Sequence, residues 1–354
     1  MTLDQRQADV LFTIVRCYIQ SGQPVGSRTV SRKSSLNLSP ASIRNIMADL
    51  AEDHYIEQPH TSAGRIPSTK GFRFYLDSKL DMEILPAEVE EKIKSALIST
   101  GPDLTQTLSQ ASKLLSSISN QISLVITPSQ HNIRWKHIDF ILLRPGLVMS
   151  ILVMEGGIVQ NKIITVDSEI TVDDLVKFSN YLNEHYQGKT LLQVRANIFS
   201  QIKRARKRFN NLYQKALNLA RESFEPDNNR QVYVDGTHYL FQDSEFTDLT
   251  KMREVFRLLE ERSKLLKILD QTMESEGLSI LLGQEQDWQE LSDYTVISSP
   301  YSLKGDNIGL VSIIGPTRMN YSRVIPAVDL TARILSQLFN EIFEHNAEKN
   351  MPKA

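Results

Sequence analysis

The stretch at 39–55, SPASIRNIMADLAEDHY, constrains the chain most, because it fits one amphipathic helix with a defined start. Ser39 offers an N-cap oxygen, and Pro40 sits at the first helical position, where a missing N–H costs nothing. Ile43, Ile46, Met47 and Leu50 recur at helical spacing and make one apolar stripe. Ser42, Arg44 and Asn45 fall off that stripe near the N-terminal end. Their side chains suit base edges and phosphates. Periodicity alone describes an ordinary surface helix; the sequence on either side argues for more.

Upstream, residues 3–20 read as a first helix with Val10, Leu11, Ile14, Val15 and Tyr18 or Ile19 on its buried side. Cys17 is a small apolar filler there, and Ser21-Gly22 ends the helix. Gln23-Pro24 is extended, and a short helix at 27–34 turns Val30 inward. With the loop at 35–38, the order becomes helix, short helix, tight turn, helix, which is a helix-turn-helix unit with its last helix in the reading position. Downstream, residues 55–59 and 65–67 read as two short strands around a turn at 60–64. Pro59 and Pro67 restrict those strands to an edge, so the ribbon has the form of a wing. Thr69 then caps a helix at 70–80 packed through Phe72, Tyr75 and Leu76.

Charge fits this reading. Residues 1–80 hold ten Lys or Arg against seven Asp or Glu. Arg28, Arg32 and Lys33 lie on the second helix, Arg44 on the third, and His60, Arg65 and Lys70 at the wing. These flank the base-reading candidates Ser42, Arg44 and Asn45 and are the phosphate candidates: Arg28, Arg32, Lys33, His60, Arg65 and Lys70. The whole chain carries a net charge of -2, which argues against coating nucleic acid but leaves room for a small DNA-reading module on a neutral body.

Other classes are excluded or unsupported. With 354 residues, 41% hydrophobic and 23% charged, the chain is globular in composition and long enough for two or three domains. One cysteine rules out an intramolecular disulfide and a Cys-based zinc site, and suits a reducing compartment. The first residues, MTLDQRQADVLF, carry acids and no long apolar core, so no signal peptide is expected. No apolar run has the length of a transmembrane helix. The seven histidines lack metal-ligand spacing, and no P-loop, dinucleotide fingerprint or nucleophile elbow is present. Neither an enzyme, nor a metal, nor a cofactor is expected. Gly315-Pro316-Thr317-Arg318 could form an anion nest, but reads better as a turn whose Arg318 pairs locally or supports a domain interface.

Beyond the first module, residues 86–120 are helical, with Ala111, Leu114, Leu115 and Ile118 on one side, and could link the module to a body. Apolar runs at 122–127, 138–143, 147–154 and 158–166, with turns at Arg144-Pro145-Gly146 and Glu155-Gly156-Gly157, predict an antiparallel meander. A helix at 171–186 would cover one face through Val172, Leu175, Val176 and Leu182. Residues 191–224 read as mostly helical, with the basic run 203–208 on the wet face. A hairpin about Asp235-Gly236 follows, then a helix at 249–272, strands at 278–282, 294–298 and 308–314, a helix at 323–344 and a loose tail. The body is α+β.

The run GSRTVSRKSSLNLSPASIRNIMADLAEDHYIEQPHTSAGRIPSTKGFRFYLD resembles the N-terminal domain of the bacterial heat-inducible transcription repressor family HrcA. QISLVITP at 121–128, VYVDG at 232–236 and IGLVSIIGPTRMNYSRVIPAVD at 308–329 extend the similarity over nearly the whole chain. Glu57 and Gln58, at the wing base, are a mild departure that would soften a phosphate contact there. The resemblance implies a winged helix-turn-helix, a GAF-like mixed α/β body and a dimerisation domain inserted into that body. It implies domains at 1–80, 81–120 (helical linker), 121–189 and 246–344 (GAF-like), 190–245 (dimerising insertion) and 345–354 (tail). The implied function is cytoplasmic repression of chaperone and chaperonin operons by a homodimer on an inverted-repeat operator in double-stranded DNA, with release on heat stress. The chaperonin is implied as a functional partner, and no membrane is involved. Two rivals remain: a regulator whose body senses a small metabolite, and a winged-helix module that binds protein alone.

Overall fold

The computed structural model describes residues 3–60, 63–78, 82–101, 103–127, 134–154, 159–166, 170–190, 193–194, 197, 219–220, 231–241, 249–273, 277–286 and 288–348. The basic run at 203–208, most of 190–245, the turn at 155–157, Thr61-Ser62 of the ribbon and the end of the tail lie outside them. The fold is mixed α+β.

The first module contains α1 (Gln5–Ser21), α2 (Ser27–Lys33), α3 (Pro40–Glu52), β1 (Ile56–Glu57), β2 (Ile66–Pro67) and α4 (Thr69–Asp77). Asp4 and Gln7 form a reciprocal capping box at the start of α1, and Gly22 ends it in the left-handed region at φ 65°. The apolar stripes converge: Val10, Leu11 and Ile14 of α1, Val30 of α2, Ile43, Met47 and Leu50 of α3, and Phe72 and Leu76 of α4 are all buried. The cap of α4 is Ser68, not Thr69. Its Oγ accepts from the Gly71 amide at 3.1 Å while donating to the His54 carbonyl at 2.6 Å, so one hydroxyl ties α4 to the end of α3.

Helix α5 (Ala87–Ile98) and helix α6 (Leu104–Ser119) follow. The segment expected as a connector is therefore two helices, and α6 belongs to the body. Its Ser112 hydroxyl lies 2.8 Å from that of Ser123 and donates to the Tyr233 carbonyl at 3.3 Å, on two neighbouring strands. Strands β3 (Ile122–Ile126), β4 (Trp135–Arg144), β5 (Leu147–Met154) and β6 (Val159–Thr165) come next, then α7 (Val172–Tyr186) and β7 (Val232–Asp235). The chain closes with α8 (Leu249–Glu260), α9 (Arg262–Met273), β8 (Ser279–Leu282), β9 (Tyr294–Leu303), β10 (Asp306–Pro316) and α10 (Tyr321–Glu348).

The strands do not form one meander. Five make an antiparallel sheet in the order β7-β3-β10-β9-β8, and three make a separate sheet, β4-β5-β6. β3 pairs with β7 from Ser123↔Asp235 to Ile126↔Val232. Residues 127–231 thus form an excursion in sequence between two neighbouring strands of the large sheet. The expected hairpin at 232–241 is one strand followed by a 3-10 turn at Thr237–Phe241. Gly236 forces this: at φ 81° it passes so close to α6 that a Cβ would lie 2.2 Å from Ser116 Oγ.

Helices cover both faces of the large sheet. Ile122, Leu124, Ile126, Val296, Leu310 and Ile314 share one core with Val255 and Leu258 of α8 and with Leu265 and Leu269 of α9. Val125, Ile297, Tyr301, Val311 and Ile313 point the other way, into the core that includes Leu115 of α6 and Val328 and Leu335 of α10. This is period-2 alternation on a sheet buried on both sides. The expected single helix at 249–272 is broken at Glu261, whose amide closes α8 on the Arg257 carbonyl and whose carbonyl opens α9.

In the small sheet, α7 packs Leu175, Phe178 and Leu182 against it, while Val172 and Val176, expected on the covered side, are exposed. Asn183 sets the helix's rotation: its amide accepts from the Ile138 N–H at 2.9 Å and donates to the Ile138 carbonyl at 3.0 Å, satisfying the open edge of β4.

Candidate nucleic-acid interface

The candidate surface is built outward from the start of α3. The Ser39 Oγ accepts from the Ser42 amide at 3.2 Å, so the helix is capped and its first turn is held. The Ser42 hydroxyl lies 3.1 Å from that of Ser39 and is partly occupied by the cap. Arg44 and Asn45 are exposed in the next turn, opposite the stripe of Ile43, Met47 and Leu50. An arginine and an asparagine so placed present two-pronged donor and acceptor groups of the kind that match guanine and adenine edges. The acids Asp49, Glu52 and Asp53 lie at the far end of α3.

Helix α2 packs against α3, and the turn between them is held by Ser31, whose hydroxyl donates to the Leu38 carbonyl at 2.6 Å. Asn37 takes the left-handed conformation this turn needs, at φ 50°. Arg28, Arg32 and Lys33 are all exposed on α2. The Lys33 ammonium reaches the Gln20 side chain at 3.4 Å.

The ribbon is more than two strands. Val25, between α1 and α2, pairs antiparallel with Arg65, donating to its carbonyl at 2.8 Å and accepting from its amide at 2.9 Å. Gly64 permits the approach, since a Cβ there would lie 2.6 Å from the Val25 backbone. Arg65 is consequently half-buried, whereas His60 is exposed in the turn, its carbonyl accepting from Ala63. The Gln58 side chain donates to the Ala63 carbonyl at 3.1 Å and stitches the base of the turn. Lys70 is placed differently from the other phosphate candidates: its Nζ donates to the carbonyl of Asp53, the C-cap of α3.

Sequence reasoning missed the attachment of this module to the body. Arg73 of α4 donates through Nε to both carboxylate oxygens of Glu285, at 3.0 and 3.1 Å, and through Nη2 to the same carboxylate. These hydrogen bonds outweigh partial burial and raise the Arg73 pKa above its ordinary value. The Thr69 hydroxyl donates to Gln284. The partners are more than 200 residues apart, and no local pattern announces them. Among the described residues no cluster of His, Cys, Asp and Glu could hold a metal ion, and no helix is long and apolar enough to cross a membrane.

A family profile described as "HrcA protein C terminal domain" matches residues 105–325. The heat-inducible transcription repressor HrcA of Syntrophobacter fumaroxidans is 38% identical over 341 residues, covering 96% of this chain and 98% of that one. That of Nitratidesulfovibrio vulgaris (strain Miyazaki F) is 40% identical over 347 residues, covering 97% of each. The chain belongs to the HrcA family. A crystal structure of a hypothetical protein, 24% identical, shares the fold over 96% of this chain and 100% of that one, with a TM-score of 0.60. The HrcA profile begins at 105, one residue into α6, in accord with that helix belonging to the body.

Proposed function

We propose that the chain is a sequence-specific DNA-binding repressor of heat-shock chaperone and chaperonin operons. It works by occupying DNA, not by catalysis. The observation that carries this reading is the capped start of α3, exposed beside the basic α2, in a chain that matches heat-inducible repressors over nearly its full length. We read α1 to α4 with the ribbon as a winged helix-turn-helix, and the five-stranded sheet with its covering helices as the GAF-like body. Arg44 and Asn45, with Ser42 beside them, read bases. Arg28, Arg32 and Lys33 hold phosphates on α2, and His60 and Arg65 do so from the wing.

One such module reaches only three or four base edges, so a homodimer on an inverted repeat supplies the rest of the specificity. The excursion between β3 and β7 offers the surface for the second copy. The outward face of its sheet carries Ile141, Met149 and Ile163 in one cross-strand row, and Ile163 is 62% exposed. Contiguous exposed apolar surface of this kind marks association sites. Repression follows from excluding polymerase at the promoter, in the cytoplasm on the nucleoid. Release on heating follows from a dimer of modest stability, with the chaperonin returning the repressor to its active state.

The test is titration of the full chain against an inverted-repeat duplex from upstream of a chaperone operon and a scrambled duplex of equal composition. A preference on the order of a thousandfold or more at physiological salt is expected. Equal affinity for both duplexes overturns the reading.

A further inference from the structure

Among the described residues, polar contacts fasten the DNA-facing module to the body at two separate places, beside an apolar core that the two share. One is Glu83, beyond α4, whose amide donates to the Ser322 carbonyl at 3.0 Å and whose carboxylate accepts from the Ser322 hydroxyl at 3.0 Å. The other is Arg73 on α4. Besides gripping Glu285 with two of its nitrogens, its Nη2 donates to the Ile280 carbonyl at 3.1 Å, and its Nη1 lies 3.5 Å from Asp77. Ile280 belongs to β8, the edge strand of the large sheet, so the guanidinium also fills part of an open backbone edge. Thr69, at the start of α4, adds its bond to Gln284.

The receiving side is stiff. Gln284 and Glu285 sit on the 3-10 turn Gly283–Gln286, which is packed so tightly on the next turn that a Cβ at Gly283 would lie 1.7 Å from the Leu291 carbonyl oxygen. Apolar burial is non-directional and Glu83 is one attachment, so these set the module's angle loosely; a planar guanidinium with several bonds fixes it. Ser42, Arg44 and Asn45 remain exposed with both attachments formed, so the contact orients the module without covering its reading surface.

We propose that Arg73 is a positioning residue for operator recognition. Clasped to Glu285, it fixes the angle at which the DNA-reading module leaves the body, and hence the separation of the two reading helices in the dimer. This rests on the reading of the chain as a dimeric operator binder. The effect is specific to a two-half-site target. Docking of the second module is intramolecular, and its strength depends on how narrowly the module is held at the right place. A duplex with one half-site engages one module and does not sense the angle.

The experiment compares the wild-type chain with Glu285→Gln, Arg73→Ala and the exchange Arg73→Glu with Glu285→Arg. Each is titrated against the full operator, a single half-site, and an operator with about five base pairs, half a helical turn, inserted between the half-sites. Glu285→Gln alters only a partly exposed carboxylate, and its helical spectrum and unfolding midpoint check that the fold is kept. The single variants are expected to bind the full operator roughly tenfold more weakly, to lose discrimination against the altered spacing, and to keep half-site affinity within about twofold. The exchange regains part of that loss. Equal losses on half-site and full operator overturn the proposal, as does unchanged affinity and spacing preference in both single variants. A wild-type chain that does not prefer operator to scrambled DNA refutes the operator-binding reading itself, before any variant is compared.

Discussion

The Lys70 ammonium donates to the Asp53 carbonyl at 2.8 Å and lies 4.2 Å from the centre of the Tyr55 ring. Lys70 thereby closes the negative end of α3, roughly 13 Å along its axis from Arg44. Its ammonium already has a partner within the module. Lys70→Met should lower stability by about 1 kcal/mol or less, as expected for an exposed cation at a helix end and over a ring. It should leave the salt dependence of DNA binding unchanged. Denaturant midpoints and titrations at two salt concentrations check this; a fall of about one in the salt slope would show a phosphate contact instead.

Among the described residues Arg28 and Arg32 make no such local contact, and both are exposed. Arg28→Gln and Arg32→Gln should each weaken operator and scrambled DNA alike and reduce the salt slope by about one. Arg44→Ala should behave differently, costing about 1–3 kcal/mol of discrimination and changing binding to scrambled DNA far less. Equal losses on both duplexes for Arg44 would remove it from the base-reading set.

Gly71 is set by a close approach. A Cβ there would lie 2.1 Å from the Tyr55 carbonyl oxygen, the same oxygen that accepts from the Ser68 amide at 3.1 Å. Gly71→Ala must push α4 away from the end of α3 and disturb the Ser68 cap. The expected cost is about 1–3 kcal/mol, as for other overpacked sites. Thermal unfolding measures it. Stability equal to wild type would mean that α4 yields more easily than its cap allows.

Two buried phenols give the body an alkaline limit. Tyr321 donates to the Thr317 carbonyl at 2.7 Å and lies 2.9 Å from the Thr295 hydroxyl; Tyr301 donates to the Ile126 carbonyl at 2.7 Å. Burial disfavours the phenolate and raises both pKa values well above the ordinary one. The unfolded chain releases these protons near pH ~10 while the folded chain keeps them. Their contribution is therefore complete below about pH 10 and declines above it, by roughly 1.4 kcal/mol per pH unit for each tyrosine. Urea midpoints across that range should fall steeply for wild type and less steeply for Tyr321→Phe and Tyr301→Phe. Parallel slopes would contradict the assignment.

What the sequence disclosed follows the range of the interactions. The cap at Ser39, the stripe of Ile43, Met47 and Leu50, and the exposed Arg44 and Asn45 rest on spacings of three or four residues, which periodicity captures. The cap of α4 was misplaced by one residue because Ser68 and Thr69 both carry hydroxyls, and only the His54 carbonyl across the turn selects Ser68. Strand identity was legible in the apolar runs, but strand partners were not. Residues 122–126 look like the first strand of a meander, yet they pair with 310–314 and 232–235. Nothing within that strand encodes those partners. The Arg73–Glu285 clasp was invisible for the same reason.

The small sheet carries the last prediction. Its inner face is filled by Ile138, Phe140, Val148, Leu152 and Ile164 against α7, while its outer face mixes polar residues, His137, Asp139 and Asn161, with exposed apolar ones. Register places Ile141, Met149 and Ile163 side by side, with Val153 opposite Val159 on the same side. Polar residues are the rule on a solvated sheet face, so the row of Ile141, Met149 and Ile163 is the part of this one that a second copy would cover. A two-fold contact presents each residue twice, so a carboxylate introduced at Ile163 appears on both copies and is buried without a cation. In the isolated subunit the same change costs little, because Ile163 is 62% exposed. Ile163→Glu should therefore sediment as a folded monomer with an unchanged helical spectrum, and its operator affinity should fall toward that for a half-site. A variant that remains dimeric would place the two-fold contact elsewhere on the chain.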